Sequence, residues 1–231
     1  MLSAIIVAAG GSRRMGFDKL FATIADRAVL WHAINAFERA ESVSEIIVVT
    51  REDRRAEVER IREHDFAKIG TIVLGGEHRQ DSVQAGLKKV SKEARYVAIH
   101  DAARPLITPQ QIERVYEVCR AQRAATSAEP VTDTLKRADV DLSVTGSVDR
   151  HQLFAMQTPQ IFEIDLLQEA YRAIFGRKLL VTDEVSAVEH LGHKVYLVPN
   201  EELNFKITYP QDLPLADFVL RQRATTPMNF R

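Results

Sequence analysis

Apolar and polar positions along the chain follow two alternating patterns. Short apolar runs predict buried strands, and the segments between them carry apolar residues at helical spacing. The strand-like runs are 4–8, 45–50, 71–74, 96–100 and 124–128, and the helical segments are 29–40, 53–64, 81–90 and 109–123. This β-α-β order predicts an α/β fold with a mostly parallel, doubly wound sheet and right-handed crossovers.

The pattern changes after residue 130. Segments 130–137 and 146–150 alternate like strands around a polar stretch, which predicts a projecting β-arm at about 131–151. The arm has too few apolar residues to be stable alone, so we expect it to pack on a second subunit of a homodimer. Helical patterns return at 164–175, 183–191 and 210–222, and a strand pair is predicted at 195–199 and 204–208.

Composition narrows the class of protein. The 231 residues suit a single domain, and their formal net charge of −1 provides no global field that would attract nucleic acid or an anionic membrane. Cys119 is the only cysteine, so no intrachain disulfide can form. No apolar run approaches the length of a membrane span. We therefore expect one cytoplasmic domain, residues 1–231, that binds neither nucleic acid nor membrane.

The first strand-like run leads into the most informative loop. Small residues at 8–12 are followed by Arg13, Arg14 and Lys19. Small residues let backbone N–H groups approach an anion, and fixed cations neutralise it, so this loop suits a polyphosphate. The spacing fits neither the Walker A motif nor the dinucleotide fingerprint. An ordinary connection with solvated arginines remains the alternative for this loop taken alone.

Two further loops follow strand-like runs. Segment 75–80 contains Gly75-Gly76, and segment 101–105 places Asp101 and Arg104 at a strand end, where we interpret His100 as support for the loop. Ligands on such sheets bind beyond the carboxyl ends of the strands, so the three loops are expected to converge on one site.

Together these motifs resemble one family, and they occur in its order along nearly the whole chain. They are Ala8-Ala9-Gly10, Arg14-Met15-Gly16, Lys19, Gly75-Gly76, Arg79-Gln80-Asp81-Ser82-Val83, Gly86-Leu87, His100-Asp101-Ala102-Ala103-Arg104-Pro105, Pro130-Val131, Asp133-Thr134, Lys136-Arg137, Val148-Asp149-Arg150, Gln157-Thr158-Pro159-Gln160, Thr182-Asp183-Glu184 and Asn204-Phe205-Lys206-Ile207-Thr208. The chain resembles the 2-C-methyl-D-erythritol 4-phosphate cytidylyltransferases of the non-mevalonate isoprenoid pathway.

The resemblance implies a Rossmann-like nucleotidyltransferase domain that converts CTP and the polyol phosphate into a CDP-alcohol and pyrophosphate. It implies Mg²⁺ or another divalent cation, bridged by the CTP phosphates rather than held in a protein-built cage. The residues implied for catalysis are Arg14, Lys19, Arg150 and Lys206. Those implied around CTP are Ala8, Ala9, Gly10, Gly76, Glu77, Ser82, Asp101 and Ala102. Those implied for the polyol phosphate are Asp101, Arg104, Thr134, Arg150, Thr158, Thr182 and Lys206. Because Thr134 and Arg150 lie on or beside the arm, they are expected to serve the site of the partner subunit.

The chain departs from the family pattern in the first loop. The usual loop has a second glycine near position 12 and a proline before the lysine, whereas this chain has Ser12 and Asp18. An acidic Asp18 beside a triphosphate is unfavourable unless it points away or faces the metal. Two other functions stay open at this point. One is a cytidylyltransferase for another polyol phosphate such as ribitol 5-phosphate, and the other is a non-catalytic nucleotide-binding module.

Overall fold

A computed structural model of the chain describes residues 1–11 and 15–225. The strands in these residues are β1 (Leu2–Val7), β2 (Thr23–Ile24), β3 (Arg27–Ala28), β4 (Val43–Thr50), β5 (Ile69–Leu74), β6 (Tyr96–Asp101), β7 (Ala124–Pro130), β8 (Leu135–Ala138), β9 (Val144–Val148), β10 (Phe154–Glu163) and β11 (Tyr196–Pro199). The α-helices are α1 (Val29–Arg39), α2 (Arg55–Asp65), α3 (Arg79–Leu87), α4 (Pro109–Gln122), α5 (Ile164–Gly176), α6 (Glu184–Glu189) and α7 (Asp212–Thr225). Short 3-10 turns cover Lys19–Phe21 and Glu52–Arg54.

The central sheet confirms the predicted α/β architecture. Its strand order is β11-β7-β10-β6-β1-β4-β5. Strands β6, β1, β4 and β5 are parallel to one another, and β10 runs antiparallel to both of its neighbours, β6 and β7. The carboxyl ends of β1, β4, β5 and β6 therefore lie at the same edge of the sheet, which is where the predicted loops begin.

Helices cover both faces of this sheet, as the unbroken apolar strands predict. On one face, alternate residues of β1 such as Ile6 pack with α1, α4 and α7. On the other face, Ile5 packs with α3, α5 and α6. Thr108 caps α4 by accepting a hydrogen bond from the Gln111 N–H, and Pro109 is the first residue of that helix. The cap and the helix boundaries agree with the sequence-based prediction.

Strand β10 is the main element that the pattern did not reveal. Its centre is polar, yet Gln157 and Gln160 are buried. Their amides bond to other side chains, for example Gln157 Nε2 to Glu129 Oε2 at 3.0 Å and Gln160 Nε2 to Asp183 Oδ2 at 2.9 Å. Pro159 also argues against a central strand in a sequence reading. Tertiary hydrogen bonds, rather than apolar periodicity, make this segment compatible with the sheet.

The structure also tests two other predicted features, the strand pair near the end of the chain and the arm. Strand β11 pairs with β7, but residues 204–208 form no strand, so the predicted strand pair is wrong. The segment instead runs as extended chain anchored by the Ile207 N–H, which bonds to Ala103 O at 2.8 Å. Within the predicted arm, β8 and β9 form an antiparallel hairpin, and in the described part of the chain they pair only with each other.

Candidate active site

A cleft of about 630 Å³ lies at the carboxyl edge of the sheet. It is lined by Val7, Ala9, Gly10, Gly11, Met15, Lys19, Leu20, Gly76, Glu77, His78, Arg79, Ser82, Asp101, Ala103, Lys206 and Thr208. All three predicted loops contribute to this lining, together with the 204–208 segment. The prediction that sequence-distant loops converge on one site is therefore confirmed by the placement of their residues.

The end of β1 forms the floor of the cleft. The Ala8 N–H donates to Val49 O at 2.7 Å, and the Ala102 N–H donates to Val7 O at 3.1 Å, so both alanines are buried by strand pairing. A Cβ at Gly10 would meet no atom of the described residues within 4 Å. Packing therefore does not require a glycine at position 10, and Gly10 lines the cleft. Arg14, the first predicted catalytic cation, lies outside the described residues.

Two lysines line the cleft and bond to neighbouring points of it. The Lys19 Nζ donates to the Ile207 carbonyl at 2.6 Å, and the next residue back along the chain is Lys206. The Lys206 Nζ donates to Asp101 Oδ2 at 2.7 Å. Two predicted catalytic cations, 187 positions apart in the sequence, thus share one backbone segment.

Asp101 is the centre of a chain of charges. Its Oδ1 accepts from Arg79 Nε at 3.0 Å, while its Oδ2 accepts from Lys206. Burial alone would raise the pKa of Asp101, but the adjacent guanidinium and ammonium groups outweigh burial and hold that pKa well below its usual range. The carboxylate is therefore ionised near neutral pH.

Glu184 is the last member of this chain of charges. Both of its carboxylate oxygens accept from Arg79 Nη1, at 2.8 and 3.0 Å, and Oε1 also accepts from the Tyr171 hydroxyl at 2.9 Å. Burial and the Glu184 charge raise the pKa of Tyr171 well above its usual value, so this hydroxyl remains a donor. Arg79 is thus held between two carboxylates, and its position does not depend on a ligand.

The loop at 75–80, which contains the implied CTP residues Gly76 and Glu77, is packed closely against helix α3. A Cβ at Gly75 would lie 2.4 Å from the Ala9 Cβ, and one at Gly76 would lie 2.4 Å from the Asp81 Cβ. The Gly76 N–H donates to Ser82 Oγ at 3.2 Å, and the Ser82 hydroxyl donates to His78 O at 3.3 Å. The glycines are required by packing within the protein, and the Ser82 hydroxyl holds the loop. Exposed Glu77 lies at the cleft surface.

His100 and Thr158 support Asp101 from inside the protein. The Asp101 N–H donates to Thr158 Oγ1 at 3.1 Å, and that hydroxyl lies 3.0 Å from His100 Nδ1. The His100 Nε2 lies 3.1 Å from Arg104 O, so a neutral ring accepts from Thr158 and donates to that carbonyl. Burial lowers the pKa of His100 to about 4, which keeps the ring neutral. The interpretation of His100 as support for the loop is confirmed.

Other residues implied for the acceptor do not line this cleft in the described structure. Arg104 donates to Asn204 O and Met156 O, at 2.8 and 3.2 Å, while its buried Nε has no partner among the described residues. Thr182 is exposed just before α6. Thr134 is exposed beside the hairpin, and the Arg150 guanidinium donates to the Thr132 carbonyl. Their roles toward the acceptor stay predictions.

Sequence reasoning gave no role to two residues that the structure connects to the site. Glu184 belongs to a matched motif, but its sequence position does not reveal the contact with Arg79. Arg51 directly follows β4, so the rule that sites form beyond strand ends could have drawn attention to it. Arg51 Nη2 and Arg54 Nε both donate to Asp18 Oδ2, at 2.7 and 2.9 Å. The unfavourable charge expected of Asp18 is thereby compensated.

The residues present fit a metal bridged by phosphates better than a protein-built cage. In residues 1–11 and 15–225 no group of three or more His, Cys, Asp or Glu is placed to hold a metal ion. The carboxylates lining the cleft are Asp101 and Glu77, and both Asp101 oxygens already accept from cationic groups.

In the described residues, none of the helices is both long and apolar enough to cross a membrane.

The open, mostly parallel sheet and its cation-lined cleft define an α/β nucleotide-binding transferase. Residues 2–222 match the model of the IspD family, 2-C-methyl-D-erythritol 4-phosphate cytidylyltransferase. The chain therefore belongs to the 2-C-methyl-D-erythritol 4-phosphate cytidylyltransferase family, which confirms the resemblance seen in its motifs.

Individual relatives agree with this assignment. The chain is 41% identical over 225 residues to the 2-C-methyl-D-erythritol 4-phosphate cytidylyltransferase of Caldanaerobacter subterraneus subsp. tengcongensis, covering 96% of this chain and 99% of that protein. The crystal structure of 4-diphosphocytidyl-2C-methyl-D-erythritol synthase from Anaerococcus prevotii is similar with a TM-score of 0.85 at 29% identity, covering 96% and 98% of the two chains. The 2-C-methyl-D-erythritol 4-phosphate cytidylyltransferase from Thermus thermophilus has a TM-score of 0.77 at 32% identity, covering 96% of this chain and all of its own.

Proposed function

We propose that this chain transfers the cytidylyl group from CTP to 2-C-methyl-D-erythritol 4-phosphate, in the synthesis of isoprenoid precursors. Family membership supports this reaction. The structural observation that carries it is that Lys19, Lys206 and Asp101 line one cleft together with Ala9 and Gly10, with Lys206 bonded to Asp101 and Lys19 bonded to the adjacent Ile207 carbonyl.

The reaction needs cations more than it needs a base. The acceptor's phosphate monoester oxygen is already anionic near neutral pH, and it attacks the α-phosphorus of CTP. A new P–O bond forms there while the bond from the α-phosphorus to the bridging oxygen breaks, and pyrophosphate leaves. The barrier arises from bringing two polyanions into line and from charge on the leaving group, both of which fixed cations reduce.

Each residue near the junction has a definite task in this proposal. Lys19 binds the triphosphate, together with Arg14 as the resemblance implies. Lys206 bridges the α-phosphate and the acceptor phosphate, and Asp101 orients the Lys206 ammonium while holding the ribose. Mg²⁺ bridged by the CTP phosphates would supply further neutralisation of the leaving pyrophosphate.

Acceptor binding and assembly form the second half of the proposal. Arg104, whose buried Nε is unpartnered among the described atoms, would bind the acceptor phosphate, with Thr158 and Thr182 as the further acceptor residues that the resemblance implies. Thr134 and Arg150 would act on the acceptor from the hairpin of the partner subunit in a homodimer. The exposed apolar residues Val140 and Leu142 of the hairpin support this assembly. The cytoplasmic location belongs to the same proposal and rests on the sequence-based expectation.

Pyrophosphate release from CTP and Mg²⁺ tests the reaction directly. We expect release only when 2-C-methyl-D-erythritol 4-phosphate is added, and not with ribitol 5-phosphate at the same concentration. Lys206→Ala should lower kcat by roughly 10²–10³-fold, because a preorganised group on the reacting phosphates is lost. Equal turnover with both acceptors, or an unchanged kcat in the variant, would contradict the proposal.

A further inference from the structure

Arg51 holds two separate points of the segment that leads from β1 to Lys19. Its Nη1 donates to the Gly10 carbonyl at 2.9 Å, and its Nη2 donates to Asp18 Oδ2 at 2.7 Å. Gly10 and Asp18 are eight positions apart, and Lys19 directly follows Asp18. One planar guanidinium therefore fixes the start and the end of this segment relative to the end of β4.

Asp18 transmits this constraint to Lys19. Its Oδ2 also accepts from Arg54 Nε at 2.9 Å, and its Oδ1 accepts from the Leu20 N–H at 3.3 Å, so it caps the 3-10 turn that begins at Lys19. The Asp18 side chain is only 9% exposed, and the Arg54 guanidinium lies 4.9 Å from the centre of the Phe21 ring. The orientation of the turn is thus set by groups on the segment after β4.

The cluster supplies little positive charge of its own. The guanidiniums of Arg51 and Arg54 contact the carboxylates of Asp18, Asp53 and Glu57, so the cations are outnumbered. A cluster that served to attract a triphosphate would carry surplus cations instead. Its directed hydrogen bonds to one carbonyl and one capping carboxylate are typical of a device that holds a backbone segment in place.

We propose that Arg51 is a positioning residue for CTP: by joining the Gly10 carbonyl to the Asp18 carboxylate, it sets where Lys19 meets the triphosphate. This inference rests on the proposed function. It predicts a selective effect, because Arg51 and Arg54 bond to Gly10, Asp18, Asp53 and Glu57, and none of these residues is assigned to the acceptor. A displacement of about 1 Å in a positioned group can cost roughly 100-fold in rate.

Steady-state kinetics on the full chain test the inference. For Arg51→Gln we expect kcat/KM for CTP to fall by about tenfold to 100-fold, with the acceptor KM unchanged. Arg51→Lys should restore little, because one ammonium cannot replace the bidentate geometry. Arg55→Gln is the matched control, since Arg55 is a neighbouring arginine that pairs with Glu59. It should leave the KM for CTP unchanged.

The direction in which Asp18→Asn changes the KM for CTP distinguishes positioning from direct phosphate binding. If Arg51 positions the loop through Asp18, removing the carboxylate charge raises the KM for CTP. If Arg51 binds the triphosphate itself, removing its competing partner lowers that KM, and the inference is overturned. Asp18→Asn decides the question even if Arg51→Gln fails to fold. Equal losses toward CTP and acceptor would also overturn it. Wild-type turnover is measured in parallel, so failure of the proposed function is recognised separately.

Discussion

The centre of the cleft and the β8–β9 hairpin both contain charged side chains, but those at the centre are largely buried and those in the hairpin are exposed. At the centre, the side chains of Glu184 and Asp101 are only 1% and 12% exposed, and each meets a guanidinium within 3.0 Å. In the hairpin, polar bonds are local and exposed, such as Lys136 Nζ to Ser147 Oγ, and apolar Val140 is 97% exposed.

This difference shows how each region can serve a ligand. Charges at the centre are compensated within the chain, so their positions are set before any substrate arrives. Strands β8 and β9 pair only with each other among the described residues, and the Arg150 guanidinium bonds to the nearby Thr132 carbonyl. We therefore expect the position of the arm relative to the sheet to need a contact with a second subunit. Three predictions test that contrast between a preorganised centre and a hairpin that needs a partner.

The largest expected effect is on the stability of the centre. Glu184→Gln leaves Arg79, whose side chain is 25% exposed, with one carboxylate instead of two. Breaking a buried pair costs about 3–5 kcal/mol, and we expect the lower end, roughly 3 kcal/mol, because Arg79 keeps Asp101. Urea unfolding measures this loss, with Lys136→Ala in the hairpin as the control that should leave the unfolding midpoint unchanged. A Glu184→Gln variant as stable as the parent would show that the centre is not organised by this pair.

The next effect concerns pH. Burial lowers the pKa of His100 to about 4 from an unfolded value near 6.5. The unfolded chain therefore takes up a proton that the folded chain does not. The contribution of His100 to the free energy of unfolding is therefore fully present above pH 6.5, and about 3 kcal/mol of it is lost as the pH drops toward 4. The free energy of unfolding, measured across this range, should fall less steeply for His100→Asn. Parallel curves for the two proteins would contradict the assignment.

The smallest expected effect concerns the hairpin. Arg150→Ala should raise the KM for the acceptor about tenfold and leave CTP binding unchanged, as calorimetry would measure. If Arg150 serves the partner's site, mixing Arg150→Ala with Lys206→Ala and allowing subunit exchange restores wild-type turnover in about a quarter of the sites. No restoration would place Arg150 in its own subunit's site, and a monomer in light scattering would remove the basis of the experiment.

Much of the architecture was accessible from local patterns. The apolar run at β4 and the Thr108-Pro109 cap of α4 predicted the sheet and its helices, because burial on both faces and helix capping act over a few residues. Strand β10 was not predicted, because its buried Gln157 and Gln160 are compatible with the sheet only through partners from distant segments.

In the candidate site too, the sequence motifs predicted some features and only the tertiary structure revealed others. The motifs indicated that Lys19, Asp101 and Lys206 belong together, and the structure places all three in one cleft. They could not indicate that Glu184 holds Arg79, or that Arg51 compensates Asp18, because those bonds depend on where separate chain segments meet.

By itself the sequence determined the fold class, the family and three of the segments that line the cleft, since periodicity and motif order are properties of the chain alone. Only the tertiary structure decided which charges compensate which. An ion pair depends on distances of a few ångströms between residues that are far apart in sequence, and packing alone sets those distances.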